Sequence, residues 1–156
     1  VPYLTVIENT MLPFAVVKAG KKRKREMAQE ALSQVGLLQK SHRLPNQISG
    51  GEKERVAIAR SIVNEPPVLL ADEPTGNLDT KTSREIMDLL NRLNRKGMTI
   101  VMVTHSPECA GYAQRILRVS DGKLVGDNSN VRSLDQWQRK ERKKEGLPSQ
   151  KQAVAE

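Results

Sequence analysis

An apolar run, Val68-Leu69-Leu70-Ala71, ends in two adjacent carboxylates, Asp72 and Glu73. Neighbouring residues of a strand point to opposite faces, so one acid can hold a cation while the other addresses a different atom. In nucleotide hydrolysis an Asp at such a place holds Mg2+, usually through water. A Glu beside it can orient or deprotonate the attacking water. Taken alone, Asp72-Glu73-Pro74 reads equally well as a polar strand end. A second segment, Ile48-Ser49-Gly50-Gly51-Glu52, sets two glycines where a helix opens. Free N–H groups and the helix dipole at such an end attract phosphate, although a capped helix with no ligand has the same pattern. Asp79 and His105 complete the set. Alone, they read as a helix N-cap and as a hydrogen-bonded polar residue beside a strand.

The elements around these residues decide whether they can meet. Ser49 and Glu52 form an S-x-x-E capping box, which predicts a helix from there to about Asn64. Residues 68–71 and 99–103 are short apolar runs that predict buried strands. Between them Asp79 caps a predicted helix with an apolar stripe of Ile86, Leu89, Leu90 and Leu93, and Gly97 ends it. Strand, helix and strand in that order argue for a parallel sheet flanked by helices, with chemistry at the C-terminal strand ends. Asp72, Glu73 and His105 all fall at such ends, so one site could use them. Upstream, a short helix over Thr5–Leu12 meets Pro13, and a second runs from Lys21 to Val35 and stops at Gly36. Downstream, a short helix near Pro107–Tyr112 precedes a hairpin around Asp121-Gly122, with arms over 115–119 and 123–125. Residues 126–130 read as a linker, 133–144 as a polar helix, and the last ten residues as disordered.

In this order the segments resemble the ATP-binding-cassette (ABC) ATPases. Ser49-Gly50-Gly51-Glu52 and the following Lys53 to Arg60 look like the family's signature motif and its helix. Val68 to Glu73 looks like the Walker B strand with the catalytic glutamate, Gly76-Asn77-Leu78-Asp79 like the D-loop, and Val103-Thr104-His105 like the switch-histidine loop. The wording ADEPTGNLD is similar to the branch that energises lipoprotein release, macrolide export and related exporters. The resemblance covers roughly residues 1–126. It implies a P-loop NTPase-like α/β fold with part of a helical subdomain. Residues 1–64 would be that portion, 65–126 a RecA-like core, and 127–156 a basic polar tail.

The resemblance also implies ATP and Mg2+ as substrate and cofactor. Asp72 would help place the metal, Glu73 would be the general base, and His105 would contact the γ-phosphate and attacking water. The segment Ser49, Gly50, Gly51, Glu52 would meet the γ-phosphate held by a second ATPase subunit packed head to tail. Asp79 would link the two sites, and a transmembrane permease would be the other partner. One part of the pattern is absent. No G-x-x-x-x-G-K-[ST] loop occurs: Gly20-Lys21 is followed by Lys22, and Gly122-Lys123 by Leu124. The Q-loop glutamine is likewise missing. The chain also begins with Val1, so it is expected to be the C-terminal portion of the domain, incomplete at its N-terminus and inactive unaided. The alternative is a non-catalytic remnant or interaction module. An in-frame phosphate loop upstream of Val1 would decide between them.

Composition narrows the classes further. A single cysteine, Cys109, excludes an internal disulfide and a Cys-based metal cluster, and makes a reducing cytoplasm the default. The longest apolar stretch, near Met11–Val17, is too short to span a bilayer, so any work at a membrane would need another polypeptide to carry the chain there, and the resemblance implies a peripheral place on the cytoplasmic side of the inner membrane. The net charge of +8 comes largely from Lys18 to Arg25 and Arg139 to Lys144. No aromatics interleave with these runs, which disfavours nucleic acid and favours solvated faces.

Overall fold

The computed structural model describes residues 1–16, 18 and 20–128. The chain divides into two compact units, Val1–Val103 and a second that opens at Thr104.

In the first unit, α1 (Val6–Met11) starts from a reciprocal cap. The Thr5 hydroxyl accepts the Glu8 N–H at 3.4 Å and the Glu8 carboxylate accepts the Thr5 N–H at 2.8 Å. Pro13 has no N–H to continue an α-helix, so the chain tightens into a 3-10 turn over Leu12–Val16 that buries Phe14. Helix α2 (Lys21–Gln34) buries Ala28, Ala31 and Leu32. It ends in a Schellman motif: Gly36 takes φ +75°, its N–H donates to the Ser33 carbonyl at 3.0 Å, and the Leu37 N–H donates to the Leu32 carbonyl at 2.8 Å. Helix α3 (Gly50–Ile62) buries Ile58, Ala59 and Ile62, and the three helices pack on one another.

Strand β1 (Val68–Asp72), helix α4 (Thr80–Arg95) and strand β2 (Thr99–Val103) follow. The strands pair in parallel, Val68 opposite Thr99 through Asp72 opposite Val103, with α4 as the crossover. All four stripe residues of α4 are buried, and the helix packs on α3 and β2. The expectation of strands buried on both faces is not met. Leu69 is 6% exposed, but Leu70 is 75%, Val101 51% and Val103 62% exposed. Alternation along the pleat puts Val68, Leu70, Val101 and Val103 on one face, and that face is open; α4 serves the other.

In the second unit, Ser106 caps α5 (Pro107–Ala110), which buries Cys109. Strands β3 (Ile116–Ser120) and β4 (Lys123–Asn128) form an antiparallel hairpin. Asp121 and Gly122 both take positive φ, the backbone of a type I′ turn. The second arm runs on where a linker was expected. Gly126 pairs with Arg118 and Asn128 with Ile116. Arg115 also grips Asp127 with two guanidinium nitrogens, at 3.2 and 2.7 Å, so residues 126–128 belong to the strand. The polar helix expected over 133–144 and the expected disordered end lie outside the described residues.

Candidate functional site

The site is built first from the N-terminus of α3. Ser49 stands in extended backbone and its Oγ accepts the Glu52 N–H at 3.2 Å. The Glu52 Oε2 accepts the Ser49 N–H at 2.9 Å. The other Glu52 oxygen pairs with Lys40, and that ammonium, followed by the Ser49 N–H, holds the carboxyl below the usual carboxylate range. Gly50 and Gly51 are the first helical residues, whose N–H groups have no partner within the helix. The two glycines meet different surroundings. A Cβ on Gly50 would find only Leu78 Cδ2 at 3.9 Å, so this side of the turn is open. A Cβ on Gly51 would lie 2.3 Å from Thr82 Cγ2, so no side chain fits there.

Thr82 belongs to the first turn of α4, and Asp79 caps that turn. Asp79 Oδ1 accepts the Thr82 N–H at 3.0 Å and Oδ2 accepts the Thr82 hydroxyl at 2.6 Å. These bonds, hydroxyl first, hold the Asp79 carboxyl below its ordinary range. The starts of α3 and α4 therefore touch through Gly51 and Thr82. Each brings the partial positive charge of a helix N-terminus to the same region. Arg55, one turn into α3, pairs with Glu85 of α4 at 3.0 Å and donates to the Val35 carbonyl at 3.3 Å. A cleft of about 280 Å³ opens between these elements, with Ser49, Gly51, Glu52 and Thr82 among its walls.

The acids at the end of β1 differ from the simple strand picture. Asp72 is the last strand residue and exposed, on the open face with Leu70. Glu73 lies past the strand with φ +45°, so alternation stops at Asp72 and does not set the direction of Glu73. A left-handed backbone at a non-glycine residue costs about 1–3 kcal/mol and persists only where the surroundings fix it. Here the Glu73 N–H donates to the Val103 carbonyl at 2.9 Å, and the Glu73 carbonyl accepts the Gly76 N–H at 3.1 Å. Pro74 and Thr75 are buried beneath the turn, and the Leu78 N–H donates to the Thr75 carbonyl at 3.1 Å on the way to Asp79. No group of three or more His, Cys, Asp or Glu residues that could hold a metal gathers among the described residues, and Asp72 is an exposed carboxylate at the strand end. That suits Mg2+, which takes one or two carboxylates together with water and phosphate oxygens.

His105 is exposed, in a bend that opens the second unit between β2 and α5. The residues on either side shape it. The Ser106 N–H donates to the Thr104 hydroxyl at 3.1 Å, and the Ser106 hydroxyl accepts the Cys109 N–H at 3.4 Å.

Of the residues singled out in the sequence, Ser49, Gly50, Gly51, Glu52 and Asp79 lie at two touching helix starts, and Asp72 and Glu73 at the end of β1. The contacts made by Lys40, Arg55, Thr82 and Glu85 were not foreseen. Their contacts join residues far apart in the chain (Arg55 and Glu85 are 30 positions apart), which no local pattern encodes.

Comparison with known proteins adds to this geometry. A family model described as ABC transporter matches residues 1–76. The uncharacterized ABC transporter ATP-binding protein YknY of Bacillus subtilis (strain 168) is 52% identical over 133 residues, covering 85% of this chain and 58% of that protein. The lipoprotein-releasing system ATP-binding protein LolD of Aquifex aeolicus (strain VF5) is 45% identical over 131 residues, covering 84% of this chain and 58% of LolD. The dimeric structure of MJ0796, a bacterial ABC transporter cassette, superposes with a TM-score of 0.71 at 40% identity, over 85% of this chain and 59% of that one. The same cassette has been solved as a dimer in a post-hydrolysis state bound to ADP and Pi. The chain thus spans a little over half the length of these relatives.

Proposed function

Since the chain belongs to the ABC transporter ATP-binding family, we propose that it supplies the γ-phosphate-contacting and water-activating part of a transport-coupled ATPase. The observation that carries this reading is the pair of touching helix starts, one opening with Ser49-Gly50-Gly51 and the other capped by Asp79. In this reading Ser49 offers its hydroxyl, and Gly50 and Gly51 their N–H groups, to the γ-phosphate of ATP gripped by a second ATPase subunit packed head to tail. Gly50 suits that role because its side of the turn is open. Glu52 supports it from within the capping box, where its charge is matched by Lys40.

Asp72 holds Mg2+, which when bound neutralises charge on the transferred phosphoryl group. Glu73 is the general base, with both its N–H and its carbonyl tied down by backbone hydrogen bonds. His105 contacts the γ-phosphate and the attacking water, and Asp79 links the two sites of the dimer. The helices of residues 1–64 form the helical part, the strands and loops from residue 65 to the end of β4 at Asn128 the RecA-like part, and the residues after it the basic part. The assembly sits at the cytoplasmic face of the membrane through a permease that selects a lipoprotein, macrolide or similar substrate. No helix among the described residues is long and apolar enough to cross a membrane.

The 156 residues contain no G-x-x-x-x-G-K-[ST] cradle, so the nucleotide-gripping loop has to come from elsewhere. The test is Mg2+-dependent ATP hydrolysis by the 156-residue chain alone. Turnover at background, equal for wild type and Glu73→Gln, is the expected result. Turnover that Glu73→Gln abolishes would overturn the claim that this chain lacks its own nucleotide grip.

A further inference from the structure

Near their starts, α3 and α4 meet in two rungs. The first is Gly51 against Thr82, with Thr82 tied by two hydrogen bonds to Asp79. The second lies one turn along both helices, four residues on in α3 and three in α4. There Arg55 Nη2 meets Glu85 Oε2 at 3.0 Å. These are the spacings at which side chains stack on one face of a helix. The same guanidinium reaches a third element. Its Nη1 donates at 3.3 Å to the carbonyl of Val35, the C-cap residue of α2, whose carbonyl has no N–H partner within its own helix. Arg55 is 19% exposed and Glu85 48% exposed at the side chain, so the cation is the more enclosed partner. A planar fork can hold two acceptors in different directions, which a lysine ammonium on a flexible stem does less rigidly.

We propose that Arg55 and Glu85 are positioning residues. They lock the start of α3 to the start of α4, so that the Ser49–Gly51 turn and the Asp79 cap move as one body anchored on the end of α2. This rests on the reading that Ser49, Gly50 and Gly51 meet phosphate, and it extends that reading to how the turn is held. If the clamp were absent, the start of α3 would keep its apolar contacts with the start of α4 but lose the polar tie that fixes it to Glu85 and to the end of α2.

The test is hydrogen exchange by mass spectrometry on the dilute, nucleotide-free chain, comparing wild type with Glu85→Gln. Glu85 is half exposed, so Gln fits in its place and the fold survives. Exchange is expected to rise together, about fivefold, in peptides covering residues 50–56 and 80–86, with no change over 68–72. Arg55→Lys should give the same paired rise plus faster exchange at 35–38. The charge swap Arg55→Glu with Glu85→Arg should return the α3 and α4 peptides to within about twofold of wild type. A rise confined to one helix, a rise shared equally by 68–72, or a swap no better than the single changes would overturn the proposal. A variant that unfolds outright would register as uniform exchange and also count against it. No nucleotide enters this experiment, so its failure leaves the phosphate reading standing. Failure of the chain to associate with a complete cassette in ATP would strike that reading and leave the clamp standing.

Discussion

Gly51 and Thr82 meet so closely that Gly51 cannot gain a side chain while Thr82 keeps its Cγ2. Adding a methyl group at Gly51 places it 2.3 Å from Thr82 Cγ2. Thr82 cannot simply turn away, because its hydroxyl is held by Asp79 at 2.6 Å and a β-branched side chain has few helical rotamers. Gly51→Ala should therefore lower stability by about 1–3 kcal/mol in a denaturant titration. Thr82→Ser removes Cγ2 while keeping the hydroxyl. The double variant is expected to recover most of the loss, and no recovery would show that the clash is relieved in another way. The acids of the same region set a pH dependence. Asp79 and Glu52 have folded-state pKa values below their ordinary ones, through Thr82 and Lys40 respectively. Their stabilisation is present above the ordinary carboxylate range and is lost as pH falls through the depressed values. Glu54 works in the opposite sense, because burial raises its pKa. Its charged form weakens the fold at neutral pH, and that penalty fades as pH falls from the raised value to the ordinary one. Glu54→Gln should raise the thermal midpoint at pH 7 and make no difference near pH 3.

At the scale of elements, α4 carries the crossover that sets β1 beside β2. Leu89 is fully buried in its stripe, and Leu89→Ala is expected to cost about 2–5 kcal/mol, read from the shift of a urea midpoint. A loss under 1 kcal/mol would mean that the stripe is not the core. This stripe was legible in the sequence because helix burial repeats with the helix period. So were the caps at Ser49 and Asp79, since they need only a side chain and an N–H three residues on. The same signal was present in Thr5 and Glu8, where T-x-x-E marks the start of α1. The Asp121-Gly122 turn was legible from residue type, while the reach of β4 to Asn128 was not. That reach depends on Arg115 gripping Asp127 and on Gly126 lying against Arg118, and Gly-Asp-Asn reads locally as a linker. The backbone of Glu73 was hidden for a related reason: its φ of +45° is fixed by Val103 and Gly76, not by its own propensity. The site was thus legible as a set of segments and illegible in its joints, such as Arg55 with Glu85.

Across the molecule, Leu70, Val101 and Val103 form an open apolar face on the parallel pair, a form of sheet that is ordinarily covered on both sides. Such a face favours self-association. Leu70→Ser with Val103→Thr is expected to reduce light scattering of the chain on concentration; unchanged scattering would place the sticky surface elsewhere. The central claim is that this chain presents a phosphate-contacting face but takes its nucleotide grip from outside its 156 residues. Sedimentation velocity of the chain mixed with a complete, hydrolysis-blocked ABC cassette tests it most directly. A heterodimer that forms only with Mg2+ and ATP, and is lost in Gly50→Asp, whose carboxylate would repel the γ-phosphate, is the predicted result. Association that ignores ATP, or that survives Gly50→Asp unchanged, would contradict it.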